Sequence, residues 1–170
     1  MKNRIVVWLQ LTLTTVGEVD EIICASSSSS CCLDPIPTTV LKHTTIMQAI
    51  LPHVTDIIND SLSAGFVPTD FKNAVVKPII KNTSLDREIL KNFRPISNLP
   101  FLSKVLERIV AKRLNAHINL HSLDDPLQSA YKPGHSTETA LLKVTNDILI
   151  ELDANREVFL ILLIRSIRYC

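Results

Sequence analysis

Glycine is nearly missing from this 170-residue sequence: Gly17, Gly65 and Gly134 are its only three. With none of them clustered, a glycine-rich phosphate loop is excluded. Cysteine is scarce too, and Cys24, Cys31, Cys32 and Cys170 form no C-x-x-C pair. Two are adjacent and one is terminal, so neither a zinc module nor a disulfide framework fits, and free thiols are expected. Ser97, Ser103 and Ser136 lack the G-x-S-x-G setting of a hydrolase nucleophile. His117 and His121 have the i, i+4 spacing of a zinc pair but no further ligand pair nearby. Long apolar runs are also lacking. Val158–Ile164, VFLILLI, is too short to cross a bilayer. The apolar start after Met1-Lys2-Asn3-Arg4 imitates a signal peptide, but Gln10, Thr12, Thr14 and Thr15 dilute it and no clean cleavage site follows. Membrane residence and secretion are therefore not expected, and the chain reads as intracellular, with nucleus and cytoplasm both open.

What is present is a globular composition, 46% hydrophobic and 21% charged. One sizeable core is within reach of this length, and nine prolines against three glycines imply fixed turns between helices. The net charge of +1 conceals an imbalance. Residues 72–113 hold ten of the 18 lysines and arginines but three of the 17 aspartates and glutamates. A basic middle in a nearly neutral chain calls for an anionic partner there.

Along the chain, Thr15-Val16-Gly17-Glu18 has capping-box spacing before the short helical face Val19, Ile22 and Ile23. Ser26–Ser30 reads as a flexible, exposed loop, and Asp34-Pro35-Ile36-Pro37 as a rigid turn before a helical run at Val40-Leu41. From about Ile46 to Ala64, Ile50, Leu51, Val54, Ile57, Ile58 and Leu62 keep the helical period, with Gly65 at the C-terminal cap. Pro52 places that helix's start near Leu51. Residues 72–81 predict an edge strand or two strand fragments around Pro78. Arg94-Pro95 fixes an extended segment. Phe101 then opens a helix with Leu102, Val105, Leu106, Ile109, Leu114 and Ile118 on one face. Lys104, Arg108 and Lys112 form a row on another. That row is a plausible phosphate surface, and its plainer reading is a solvated face over a core. Asp124-Asp125 reads as a loop or cap. Ser136 is an N-cap for a helix to about Leu152, with Glu138 in its first turn and Ala140, Leu141, Val144, Ile148 and Leu149 facing a core. VFLILLI reads as a buried central strand.

Two long blocks carry a resemblance. Phe93 to Leu114, FRPISNLPFLSKVLERIVAKRL, resembles the first conserved block of reverse transcriptases encoded by non-LTR retrotransposons of the LINE-like, jockey type. Gln128 to Leu149, QSAYKPGHSTETALLKVTNDIL, is similar to the next, Q-x-G-F-R-x-G-x-S-T. Cys32 to Thr38 is also like the C-x-LDPIPT segment that precedes the polymerase blocks. The resemblance implies an α+β, mostly helical chain: the incomplete fingers and palm portion of a right-hand polymerase fold. Its parts would be an unmatched leader at 1–13, a helical linker region at 14–71, a partial reverse transcriptase domain at 72–163 and an unmatched tail at 164–170.

The resemblance also implies RNA-directed DNA synthesis for the complete enzyme, with magnesium, an RNA template, a DNA primer and a deoxynucleoside triphosphate. Arg94 matches the Arg of R-P-I, Lys104 falls at a basic position of the helix start, and Lys132 stands where the second block usually has Arg. With Arg108 these are the nucleotide- and template-binding candidates. Tyr131 replaces a Phe and keeps a stacking surface, while His135 replaces a usual Arg or Lys. The family's first metal-binding Asp opens D-L-S-A-A-F-D after a strand like VFLILL, and Ile164 stands in that place. A later motif with paired aspartates does not occur. The expectation is a reverse transcriptase fragment that binds no metal and is catalytically inactive as this chain. The alternatives are a non-enzymatic nucleic-acid-binding remnant and an inert translation product.

Overall fold

The computed structural model describes residues 11–163. The signal-like start at 1–10, Ile164 and the tail after it, Cys170 included, lie outside the described residues. The described chain is about half helical, with one two-stranded sheet. It divides into two compact units, one ending at Ser122 and one beginning at Leu123.

The first unit is built on helices α1 (Val16–Ala25), α2 (Thr38–Leu41), α3 (Thr44–Ala64), α4 (Thr69–Lys72) and α5 (Phe101–Leu120). Its core draws Val19 and Ile23 from α1, Leu41 from α2, Met47, Leu51, Val54, Ile58 and Leu62 from α3, and Phe101, Val105, Leu106 and Ile109 from α5. Each set follows the helical period, so the apolar stripes meet in one interior. α3 runs unbroken through Pro52 rather than starting beside it. Pro52 lies on the exposed side while Met47 and Leu51 are buried. An interior proline costs roughly 3 kcal/mol. Burying two large apolar side chains returns about 1.5 to 3 kcal/mol each, which offsets it. Gly65 closes the helix at φ 61°, a left-handed cap that a Cβ would strain.

The serine stretch is not loose. Ser30 Oγ accepts from Thr38 N at 2.8 Å, Ser26 Oγ donates to Ile22 O at 2.6 Å, and Lys42 Nζ donates to Ser26 O. The buried Thr38, the first residue of α2, also reaches Ser29 O. Serine hydroxyls thus close both the end of α1 and the start of α2, a use that low-complexity composition does not reveal.

Strands β1 (Val75–Ile80) and β2 (Phe93–Asn98) form an antiparallel ribbon in which Pro78 faces Pro95. Lys81 N donates to Asn92 O at 2.8 Å just beyond the strands. Counting back, the hydrogen-bonded pairs are Ile79–Arg94, Lys77–Ile96 and Val75–Asn98. Pro78 and Pro95 fall at a non-hydrogen-bonded pair, where each backbone nitrogen points to an outer edge. Neither proline costs a ladder bond, so 75–80 is one strand and not two fragments.

Among the described residues the second unit contains one helix, α6 (Thr137–Asp153), capped by a reciprocal pair in which Ser136 Oγ accepts from Thr139 N and Thr139 Oγ1 from Ser136 N. Two expectations are corrected here. α6 has no buried residue, and Leu141, Val144 and Leu149 are exposed instead of facing a core. Residues 158–163 form neither a strand nor a buried element, with Phe159 84% and Leu163 93% exposed. A central strand needs neighbours on both edges and both faces, and none is supplied among the described residues.

Candidate nucleic-acid interface

Arg94 sits mid-ribbon. The two-residue alternation of a strand puts Lys77, Ile79, Arg94 and Ile96 on one face. Arg94 and Lys77 are both exposed, and Arg94 forms no ion pair among the described residues. Two cations beside two apolar side chains make a surface that a phosphate can approach without displacing an internal partner.

The row on α5 is differently employed. Lys104 is half-buried and donates to Asn98 Oδ1 at 2.7 Å. Arg108 donates to Ser26 Oγ, in the loop after α1. Lys112 lies 3.1 Å from Glu18 Oε1, and its neighbour Arg113 lies 2.9 Å from Glu18 Oε2. Each rung therefore ties α5 to another segment: the end of β2, the serine loop, or α1. Lys132 belongs to the second unit, half-buried and paired with Asp124. Beside it, Asp125 Oδ1 accepts from Leu127 N at 2.9 Å, so both aspartates serve the loop. Tyr131 is fully exposed at φ 60°. Thus Lys104 and Arg108 share one helix face, Arg94 stands on the ribbon, and Lys132 is placed in its own unit.

Two positioning groups escaped sequence reasoning. Glu18 was legible as half of a capping box, and Thr15 Oγ1 does accept from Glu18 N. Its carboxylate, however, turns away from the cap to Arg113, Lys112 and Thr14 Oγ1. The Arg113 hydrogen bond, ahead of Thr14 and Lys112 and against the opposing effect of burial, lowers its pKa to about 2. The other is Asp34, whose Oδ1 accepts from Phe101 N at 2.6 Å across 67 positions of sequence. No local pattern signals a cap supplied from so far away.

His117 and His121 lie in a tilted contact with ring centroids 4.4 Å apart. Among the described residues no three His, Cys, Asp or Glu side chains gather where they could hold a metal ion. An open groove of about 580 Å³ between α4 and α5 is lined mainly by Val67, Phe71, Leu99, Leu106, Val110 and Leu114, and it gathers no cluster of titratable groups.

The reverse transcriptase (RNA-dependent DNA polymerase) family matches residues 79–164, taking in β2, α5 and α6. The chain belongs to that family. Among its relatives in Drosophila melanogaster, the probable RNA-directed DNA polymerase from transposon X-element is 32% identical over 107 residues, 63% of this chain and 12% of the relative. The probable RNA-directed DNA polymerase from transposon BS is 34% identical over the same shares. The RNA-directed DNA polymerase from mobile element jockey is 29% identical over 59% of this chain and 11% of its own length. The matched stretch is thus a small part of each relative. The chain carries a reverse transcriptase domain homologous to the polymerases of non-LTR retrotransposons. No described helix is long and apolar enough to cross a membrane.

Proposed function

We propose that this chain supplies the fingers portion of a right-hand polymerase fold, gripping nucleic acid or the incoming triphosphate for RNA-directed DNA synthesis. The observation that carries the reading is Arg94: a family-matched arginine, exposed beside Lys77 on a ribbon, with its planar fork uncommitted among the described residues. Lys104 and Lys132 follow as secondary contacts, each holding an internal partner while keeping further N–H groups. Arg108 would have to leave Ser26 or share it. The domain limits at 14–71 and 72–163 belong to the same proposal. Magnesium is the metal of the complete family enzyme, and the described residues gather no ligand set for it.

Alone, the chain binds without polymerising, because Ile164 stands where the family's first metal-binding Asp opens its motif. The test is fluorescence anisotropy with a single-stranded RNA across a salt series, together with primer extension. Binding that weakens steeply with salt is expected, and Arg94→Ala should lower the salt slope by about 1. Extension of the primer, or an Arg94→Ala variant that binds with the wild-type slope, would sink the reading. The exposed apolar run 159–163 favours the second reading, an inert product, and non-cooperative unfolding would support it.

A further inference from the structure

We propose that Asp34 is a positioning residue: its carboxylate sets the hinge from which the β1–β2 ribbon, and with it Arg94, projects. α5 opens after Pro100, whose side chain cannot cap, so the first N–H groups of the helix need acceptors from elsewhere. Asp34 supplies one at Phe101 N, 2.6 Å away. Its second oxygen accepts from Cys31 N, also at 2.6 Å, while Asp34 N donates to Cys31 O at 3.0 Å. A tight turn is thereby fastened to the start of a long helix. Two further bonds extend the junction to the ribbon. Cys31 Sγ donates to Asn98 O at 3.4 Å, and Asn98 Oδ1 accepts from Lys104 Nζ. Asn98 ends β2, four residues after Arg94 and two before Pro100. Every other β2 residue except Phe93 is exposed, so this junction is where the strand is held. The turn itself is anchored in the interior, since Cys31 is buried and α2, four residues on, contributes Leu41 to the core. A half-buried carboxylate thus joins a core-bound turn to the corner between ribbon and helix.

The consequence for an anionic ligand rests on the reading under Proposed function and runs against simple electrostatics. Removing a negative charge near a basic surface strengthens binding to a polyanion when charge alone decides. Removing a positioning group weakens it.

The test uses the whole chain with Asp34→Ala and Asp34→Asn, and Ile58→Val as a core variant that leaves the junction intact. Hydrogen exchange reads the hinge directly: Asp34→Ala should speed exchange across 93–104 and leave 44–64 unchanged, while Ile58→Val should not single out 93–104. Anisotropy with single-stranded RNA reads the consequence. Asp34→Ala should bind about tenfold more weakly, with the salt slope kept because no phosphate contact is lost. Asp34→Asn, which keeps one acceptor oxygen, should recover part of both readouts. Binding equal to or tighter than wild type in Asp34→Ala, or exchange over 93–104 unchanged, would overturn the proposal. If the wild-type chain binds no RNA, the proposed function fails, and the exchange pattern decides the hinge on its own.

Discussion

α5 and α6 have similar helical amphipathicity, yet α5 buries five residues and α6 has no buried residue. α5 buries Phe101, Val105, Leu106 and Ile109 in the core it shares with α1 and α3, while Leu141, Leu142, Leu149 and Leu152 of α6 are each more than half exposed. An apolar stripe records a capacity to be covered, and whether it is covered depends on what else packs there. The stability of the first unit should therefore be sensitive to its stripe and that of α6 insensitive. Ile58→Ala, at a residue 1% exposed, should cost about 3 to 4 kcal/mol in urea unfolding. Leu149→Ala should stay within about 0.5 kcal/mol. Equal costs would mean that α6 has a partner in solution.

Charge divides the two regions in the same way. In α6 the pair Lys143–Asp147 lies on an open face, each side chain at least half exposed. In the first unit Glu18 and Arg113 are largely covered, at 18% and 13% side-chain exposure. The open pair contributes little. Glu18→Gln should cost about 2 kcal/mol at neutral pH, as for a charge-assisted bond. The pH dependence follows from the direction of the shift. The folded value, about 2, lies below the ordinary 4.5, so the contribution is complete above about pH 4.5 and is lost as pH falls toward 2. The gap between wild type and Glu18→Gln in urea midpoints should close over that window. A gap independent of pH would show that the carboxylate's charge is not what matters.

The legible parts of this chain were those decided by local repetition. The face of α3, the caps at Ser136 and Gly65, and the strand at 75–80 follow from spacing within a few residues. What was not legible depends on partners distant in sequence. Pro52 is tolerated because Met47 and Leu51 find a core, and the serine loop is ordered because Thr38 and Lys42 return to it. At the candidate interface, Arg94 was legible from its block. The row Lys104, Arg108 and Lys112 was legible as a cationic stripe but not as a set of tethers, because Asn98, Ser26 and Glu18 come to it from other segments. The stretch 158–163 misled for the opposite reason: its composition suits a central strand, and the described residues give it no neighbours.

That stretch and the ribbon differ also in how they meet other chains. Neither edge of the ribbon is paired among the described residues. Exposed strand edges invite association, and proline or charge blunts them. Pro78 and Pro95 remove the middle outward donor from both edges at one pair, and Lys77 and Arg94 add charge beside them. Residues 158–163 carry neither proline nor charge. Changing both prolines to valine restores two outward N–H groups without altering the ladder. The variant should show weak, concentration-dependent self-association by sedimentation, with the monomer's stability nearly unchanged. Leu160→Lys should act in the opposite direction and reduce whatever association the wild-type chain shows. A double valine variant that stays monomeric wherever wild type does would mean that the charges, not the prolines, keep the ribbon apart. Replacing Lys77 and Arg94 by threonine in that background would then release the association that the prolines alone did not.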